Sequence, residues 1–181
     1  MKRILTSCLA TLSLLACDST KQIDPPPAVE ELAGCTRERL EEDLTRDLPL
    51  SGPAVREDGT LAPGQYILSS TYLKMKTDAQ AQARFQELIG PINEALSRQP
   101  GLMAVAFASS ERCKTARTFT VWKDEAAMYE FVTGDAHLAA MSAVSEVSRG
   151  GSIVTHWPDD ERGASWEKAA RQLGADEGPF Y

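Results

Sequence analysis

The sequence predicts an α+β fold of the ferredoxin-like type, in which an antiparallel four-stranded sheet carries helices on one face. Two observations predict it. Residues 65–158 alternate between short runs of strand-forming residues and longer runs with apolar residues at helical spacing. These runs follow the order strand, helix, strand, strand, helix, strand (βαββαβ), which is the element order of that fold. The second face of such a sheet would be apolar and open, and an open apolar face usually finds a partner.

The first strand is predicted at residues 66–75, which alternate in part and are rich in strand formers. Asp78 can cap the helix that follows, and Gln99-Pro100-Gly101 ends it. Gly90-Pro91 lies inside this helix and should kink it or divide it in two. The apolar face of the helix consists of Ala81, Phe85, Leu88, Ile89, Ile92 and Leu96.

The next two strands are separated by a polar turn. Residues 102–108 are almost continuously apolar, so we expect both faces of that strand to be covered. Residues 116–122 alternate in character, which gives the strand two distinct faces. One face carries Arg117, Phe119 and Val121, and the other carries Thr118, Thr120 and Trp122.

The second helical region is predicted to begin at the capping residue Asp124 and to be interrupted at Gly134-Asp135. Residues 152–157 form the last strand. Upstream of the domain, residues 29–64 are expected to form an extension, with one or two short helices up to residue 48 and an irregular connection after it. Residues 159–181 are expected to form a loosely helical tail with a frayed end.

The N terminus has the layout of an export signal. Lys2 and Arg3 precede an apolar stretch of about 13 residues, which is short of the roughly 20 that span a bilayer. The stretch closes with Leu14-Leu15-Ala16-Cys17, which resembles the lipobox of bacterial lipoproteins. The resemblance implies that residues 1–16 are a lipoprotein signal peptide and that Cys17 becomes an acylated first residue. The alternative is a plain secretory signal in which Cys17 is incidental.

A lipid anchor at Cys17 would hold the protein at a membrane of the bacterial cell envelope, on the exported side. Residues 17–28 would then be the lipidated cysteine and its tether, in which Pro25-Pro26-Pro27 favours an extended conformation. In an oxidising compartment Cys35 and Cys113 can form a disulfide that clips the N-terminal segment onto the domain. Two unrelated thiols are the alternative.

The charge of the chain excludes one class of function. The net charge is −7, and loss of Lys2 and Arg3 leaves 17 basic against 26 acidic side chains. A nucleic-acid binder needs a basic surface, so no nucleic-acid partner is expected. The sequence also contains no phosphate-binding glycine loop, no nucleotide-binding fingerprint, no hydrolase motif and no spacing typical of a metal site.

Four strings of residues carry a resemblance to a known family. Gln99-Pro100-Gly101-Leu102 introduces a strand, and residues 118–128 read Thr-Phe-Thr-Val-Trp-Lys-Asp-Glu-Ala-Ala-Met. Phe131-Val132 and Ala136-His137 follow. Over residues 65–158 the chain resembles the antibiotic-biosynthesis-monooxygenase-like group of the dimeric α/β-barrel superfamily.

The resemblance implies a homodimer in which two sheets pack face to face and cover the open sheet face. It also implies a pocket for a small aromatic or polyene ligand, which would be oxidised without a cofactor or with a haem. The superfamily spans oxygenases, haem-degrading enzymes, isomerases and members without known activity, so two classes of function stay open. One is a monooxygenase-like enzyme, and the other is a non-catalytic envelope protein that binds a ligand or docks a partner.

The two candidate catalytic residues are the histidines His137 and His156, since histidine is the side chain that exchanges protons near neutral pH. His137 follows Gly134-Asp135 and could contact a bound ring or ligate a haem, and the alternative is local hydrogen bonding at a helix start. His156 lies in the last strand and could act as a general base, and the alternative is an outward-facing strand residue.

Three residues of the third strand are candidates for a ligand pocket. Trp122 could line an apolar cavity, Arg117 could bind an anionic ligand, and Phe119 could add an aromatic wall. The alternatives are a core position for Trp122 and Phe119, and a solvent-facing head group for Arg117.

Overall fold

The computed structural model describes residues 32–181 and contains one five-stranded antiparallel sheet. Residues 1–31, which include the expected signal peptide, Cys17 and the tether, lie outside the described residues. The strands are β1 (Thr45–Ser51), β2 (Gln65–Lys74), β3 (Leu102–Ser110), β4 (Thr115–Trp122) and β5 (Ile153–Asp160). Their order in the sheet is β1-β3-β4-β2-β5. Strands β2 to β5 have the predicted ferredoxin-like arrangement, and β1 is an addition to it.

The helices are α1 (Ala79–Arg98), α2 (Glu125–Val132), α3 (Asp135–Ser142), α4 (Val144–Val147) and α5 (Trp166–Ala175). The predicted caps are present: the Asp78 carboxylate accepts from the Ala81 amide, and the Asp124 carboxylate accepts from the Ala127 amide. The expected division at Gly90-Pro91 does not occur, because α1 continues through Pro91 to Arg98.

The prediction of helices over residues 29–48 is wrong where β1 begins. Thr45–Ser51 is an edge strand that pairs with β3 through an irregular register, so the sheet has five strands and not four. Leu40, Leu44 and Leu48 have the spacing of a helix face. Leu48 and Leu50, however, lie two residues apart, and that spacing suits a strand equally well. Pro49 between them is compatible with an edge strand, which does not need every amide for pairing.

The two faces of the sheet have different coverings. Helices α1 to α4 lie over one face, called here the cavity face, which carries Ser69, Thr118 and Trp122. The other face, called the second face, packs against α5 and against the segments on either side of β1, residues 35–44 and 52–64. The core on the second face includes Leu68, Ala104, Ala106, Phe119, Val121, Trp157, Trp166 and Ala169.

The second face was expected to lie open and to be covered by a second copy of the domain. Within residues 32–181 the chain's own residues cover it instead, and the apolar core on that face is buried. The C-terminal segment is also packed more firmly than predicted. Helix α5 buries Trp166 and Leu173, and backbone hydrogen bonds join Tyr181 to Ser152 at the start of β5.

A disulfide joins Cys35 to Cys113, with 5.5 Å between their Cα atoms. Cys113 lies in the turn between β3 and β4, and Cys35 lies just before the first residues that cross the second face. The bridge therefore fastens the start of the N-terminal extension to the tip of the β3–β4 hairpin. Within residues 32–181, none of the helices combines the length and the hydropathy that a membrane-crossing segment requires.

Candidate functional site

A cavity of about 880 Å³ lies between the cavity face of the sheet and the helices. Its floor is made by strands β2 and β4, and its roof by the apolar side of α1 together with α3 and α4. The roof includes Phe85, Leu88, Ile89, Ile92, Met141 and Val144. These side chains are partly exposed although they face inwards, because a cavity lies beneath the helix. The volume falls in the range of small-molecule sites.

The floor of the cavity carries hydroxyl groups, although its roof is apolar. Ser69 lies directly opposite Thr120 in the β2–β4 pair, and Thr71 lies opposite Thr118, so four hydroxyls occupy adjacent positions on one face. The Thr120 hydroxyl already accepts a hydrogen bond of 2.9 Å from the Trp122 indole Nε1. The cavity can therefore bind a molecule with an apolar body and still offer polar contacts along one side.

Trp122 and His137 are brought to the same end of the cavity, as the sequence suggested for a ligand pocket. The Phe131 ring lies between them, with centroids 5.4 Å from the Trp122 ring and 5.3 Å from the His137 ring. Trp122 is almost fully buried, and Phe131 and Met128 pack around it. One wall at this end is therefore aromatic.

His137 is held in a defined tautomer at the start of α3. Its Nδ1 lies 3.0 Å from the carbonyl oxygen of Val132. Since a carbonyl can only accept, Nδ1 carries the proton and Nε2 is the ring atom that can receive one. Burial lowers the pKa of His137 below its ordinary value, with the Val132 hydrogen bond acting weakly in the other direction. Burial therefore favours the neutral imidazole, with Nε2 as its unprotonated ring nitrogen.

His156 does not join His137. It lies on β5, is exposed, and contacts the exposed Tyr129 ring at a centroid distance of 6.0 Å. It shares the cavity face with Ser69, its partner in the β2–β5 pair, but it is not among the residues that line the cavity. The structure thus places it where the sequence alternative did, as an outward-facing strand residue.

The predicted pocket role of Phe119 is wrong, because its side chain lies on the second face. It packs between two tryptophan rings, at centroid distances of 6.2 Å from Trp157 and 5.8 Å from Trp166. Strict alternation along β4 separates it from Trp122, three residues away. Phe119 is therefore a core residue under α5.

Arg117 lines part of the cavity, but the predicted binding of an anionic ligand is wrong, because its guanidinium points to the second face. Its Nε donates to Glu41 over 2.8 Å, and both side chains are 1% exposed. The two terminal nitrogens of the guanidinium donate to the carbonyls of Thr36, Arg37 and Arg39. All four of these Arg117 hydrogen bonds thus go to residues 35–41, called here the N-terminal strap.

The strap closes a buried polar cluster with no role in the cavity. Glu41 also accepts a 2.6 Å hydrogen bond from the Thr115 hydroxyl. The Arg117 guanidinium lies 4.4 Å from the centre of the Tyr72 ring, and the Tyr72 hydroxyl is buried without a hydrogen-bond partner in the described chain. An Arg at this place therefore holds the strap to the sheet and does not recognise an anionic ligand.

Tyr72 is expected to make the protein less stable above pH 10. Burial, with the Glu41 carboxylate acting in the same direction, raises the pKa of the Tyr72 phenol from 10.0 to about 12. Between these values the unfolded chain has lost a proton that the folded chain keeps, so the free energy of unfolding falls as pH rises. Urea unfolding from about pH 8 to about pH 12 should show a flatter profile for Tyr72→Phe than for the wild type.

The control for this titration is Tyr129→Phe, because Tyr129 is 49% exposed. That variant should keep the wild-type profile. Identical pH profiles for Tyr72→Phe and the wild type would contradict the buried phenol.

The sequence reading missed the helix α1 roof and the hydroxyl floor as parts of one site. The sequence does contain a sign of the hydroxyl floor. Thr118 and Thr120 alternate with the apolar Phe119 and Val121, so the two threonines had to face a polar or open space. It also missed Glu41. An acidic residue in a segment with many charges gives no sign in the sequence that it is buried.

Within residues 32–181, no group of three or more His, Cys, Asp and Glu side chains is placed to hold a metal ion. A haem in the cavity would have one imidazole available, that of His137, and Nε2 would be the atom facing the iron, because Nδ1 is engaged with Val132. The lining thus offers a haem a single histidine, and binding of an apolar molecule in the cavity requires no haem.

No protein-family model matches the chain, and no curated protein matches it. Several solved structures are similar to it. A protein from Shewanella oneidensis has a TM-score of 0.47 at 16% identity, over 55% of this chain and 97% of that chain. A structure described as an antibiotic biosynthesis monooxygenase has a TM-score of 0.45 at 13% identity, over 50% of this chain and 95% of that chain. SnoaB, a cofactor-independent oxygenase from Streptomyces nogalater, has a TM-score of 0.39 at 16% identity, over 52% of this chain and 90% of that chain.

Proposed function

We propose that this chain is a lipid-anchored envelope protein whose folded domain binds a small, largely apolar molecule in the cavity. The observation that carries the proposal is the 880 Å³ space itself, with its apolar roof and its floor of hydroxyls. A cavity of this size beneath an apolar helix face leaves side chains such as Phe85 and Ile89 without close packing partners. A ligand would supply those contacts.

Binding is favoured over catalysis because the candidate chemical groups do not converge. His137 is the one imidazole that lines the cavity among the described residues, while His156 is outside it and the Arg117 guanidinium is on the other face. A catalytic site usually combines a proton acceptor with a second polar group that orients it or stabilises charge. Here the orienting group of His137 is only a backbone carbonyl.

Oxidation of a bound aromatic or polyene ligand is the second candidate function. The neutral His137, whose Nε2 can accept a proton, favours it, and so does the resemblance to monooxygenase-like sequences. Such a ligand would need an ionisable hydroxyl, which His137 could deprotonate. Oxygen consumption with a panel of quinols tests this candidate, and a His137→Gln variant that consumes oxygen at the same rate would exclude His137 from the reaction.

Ligand binding should be lost in Ala140→Trp and retained in Ala139→Trp. Ala140 is half-buried and lines the cavity, whereas its neighbour Ala139 is exposed and does not. An indole at position 140 would occupy space that the ligand needs, so we expect the Kd to rise about tenfold or more, equivalent to about 1.4 kcal/mol. The indole would enter the cavity and not the packed core, so the melting temperature should not fall.

The measurement is a thermal-shift and tryptophan-fluorescence screen of small apolar compounds, followed by titration of every hit. Trp122 reports from inside the cavity. Hits that bind Ala140→Trp and the wild type equally would place the ligand elsewhere and overturn the proposed site.

The lipid anchor rests on the residues around Cys17 alone, since these lie outside the described part of the chain. Radiolabelled palmitate should enter the wild-type chain in the producing bacterium and should not enter Cys17→Ser. The variant should also leave the membrane fraction, because acyl chains are what would hold the protein there. Equal labelling of both chains would exclude Cys17 as the acylated residue.

A further inference from the structure

The cavity is long as well as large. Four residues that alternate along β4 line it, namely Ala116, Thr118, Thr120 and Trp122. With a rise of about 3.3 Å per residue, these positions extend over about 20 Å. The roof continues above them along α1, from Phe85 to Leu96. The space is therefore a channel that runs along the sheet.

The two ends of the channel differ in charge. At the end near the β3–β4 turn, the lining includes Asp47, Lys76, Glu111 and Lys114. At the other end it consists of Leu96, Trp122, Met128, Phe131, Val132 and His137. The only other charged lining residue within the described chain is Arg117, whose guanidinium is committed to the second face.

At the charged end, the Lys76 ammonium and the Asp47 carboxylate take part in no ion pair within residues 32–181. Glu111 is paired with Lys114, whereas the Lys76 Nζ donates 2.7 Å to the carbonyl oxygen of Ser145 and forms no ion pair with any residue of the described chain. An ammonium group has three donors, so two remain for another acceptor. This end can receive an anionic head group.

We propose that the channel binds one long, linear fatty acid, with its carboxylate near Lys76 and its tail extended along β4 towards Trp122. The inference rests on the proposed function and specifies its ligand class. With carbon–carbon bonds of about 1.5 Å in an extended zigzag, about 16 carbons cover the 20 Å of the channel. A compact ring system would occupy one part of this length and leave the rest unfilled.

The test is a chain-length series on the purified, disulfide-bonded chain, with hexanoate, decanoate, hexadecanoate and the tricyclic compound anthraquinone as probes. Affinity should rise about fourfold per methylene and level off near 16 carbons. Val132→Trp fills the apolar end, so the plateau should move to shorter acids while hexanoate binding is unchanged.

Anthraquinone binding without hexadecanoate binding would overturn the fatty-acid inference and leave the proposed function intact. Binding of neither compound would overturn both.

A substitution of Lys76 tests the position of the carboxylate head group. Lys76→Gln should weaken hexadecanoate at least severalfold and leave hexadecanol unchanged, because only the acid carries the charge that Lys76 meets. Lys123→Gln is the control, since Lys123 is exposed and does not line the channel. Equal losses for the acid and the alcohol would contradict a carboxylate at Lys76.

Discussion

Replacing Glu41 with alanine is expected to lower the free energy of unfolding by about 3–5 kcal/mol, because it leaves a buried guanidinium without its counter-charge. Glu41 and Arg117 are joined over 2.8 Å, and both side chains are 1% exposed. The same carboxylate accepts from Thr115, so the substitution also strands a buried hydroxyl.

The measurement is urea unfolding followed by far-ultraviolet circular dichroism, with Glu42→Ala as the matched control. Glu42 is the next residue and is exposed, so its loss should change stability by about 0.5 kcal/mol or less. Glu41→Gln keeps the size of the side chain and loses only its charge, and it gives a measurable protein if Glu41→Ala does not fold. A Glu41→Gln variant as stable as the wild type would show that the ion pair does not stabilise the fold.

Loss of the disulfide is expected to have an effect of similar size. Cys35 and Cys113 are separated by 78 positions in the sequence. On the chain-entropy model a bridge that closes a loop of this length stabilises the folded state by about 4–5 kcal/mol. The double variant Cys35→Ser/Cys113→Ser should therefore unfold at a much lower urea concentration than the oxidised wild type.

Reduction of the wild type with dithiothreitol provides the control for the disulfide, because it opens the bridge without changing any residue. The reduced wild type and the double serine variant should have the same unfolding midpoint. A midpoint that does not move on reduction would show that the bridge adds nothing to the contacts of the strap.

The ion pair and the disulfide hold the same strap, so their losses should not add. Cys35 lies at one end of the strap and Glu41 at the other, and Arg117 contacts backbone carbonyls between them. Once one fastening is removed, the strap can leave the sheet and the second fastening loses part of its effect. Combining Glu41→Gln with the two serine substitutions should therefore cost less than the sum, by about 0.5–3 kcal/mol.

The strap and the ligand cavity lie on opposite faces of the sheet, which makes the two sets of experiments independent. Strap variants that remain folded should bind ligands of the cavity with wild-type affinity. The cavity variant Ala140→Trp should in turn leave the urea midpoint of the strap variants unchanged. A shared effect would mean that the sheet transmits changes between its faces.

The cavity could be partly foreseen from the sequence. The alternation in residues 116–122 placed Trp122 with Thr118 and Thr120 on one side, and the caps at Asp78 and Asp124 fixed where the roof helices start. By that same alternation Phe119 and the Arg117 guanidinium lie on the second face, so the aromatic wall and the anion-binding role predicted for them are not formed. The pocket prediction followed the residue types of Arg117 and Phe119 and neglected the two-residue period of a strand.

Local patterns therefore determined the core of this fold, because strand alternation, helix caps and turn residues act between neighbours in the chain. They specified β2 to β5 and the helices between them, and they set which side chains share a face. The tertiary structure alone decided what covers the second face, where the Arg117 guanidinium finds a carboxylate, and that a cavity remains under α1. Each of these depends on contacts between distant segments: Glu41 lies 76 residues from Arg117. No spacing along the chain records such an approach.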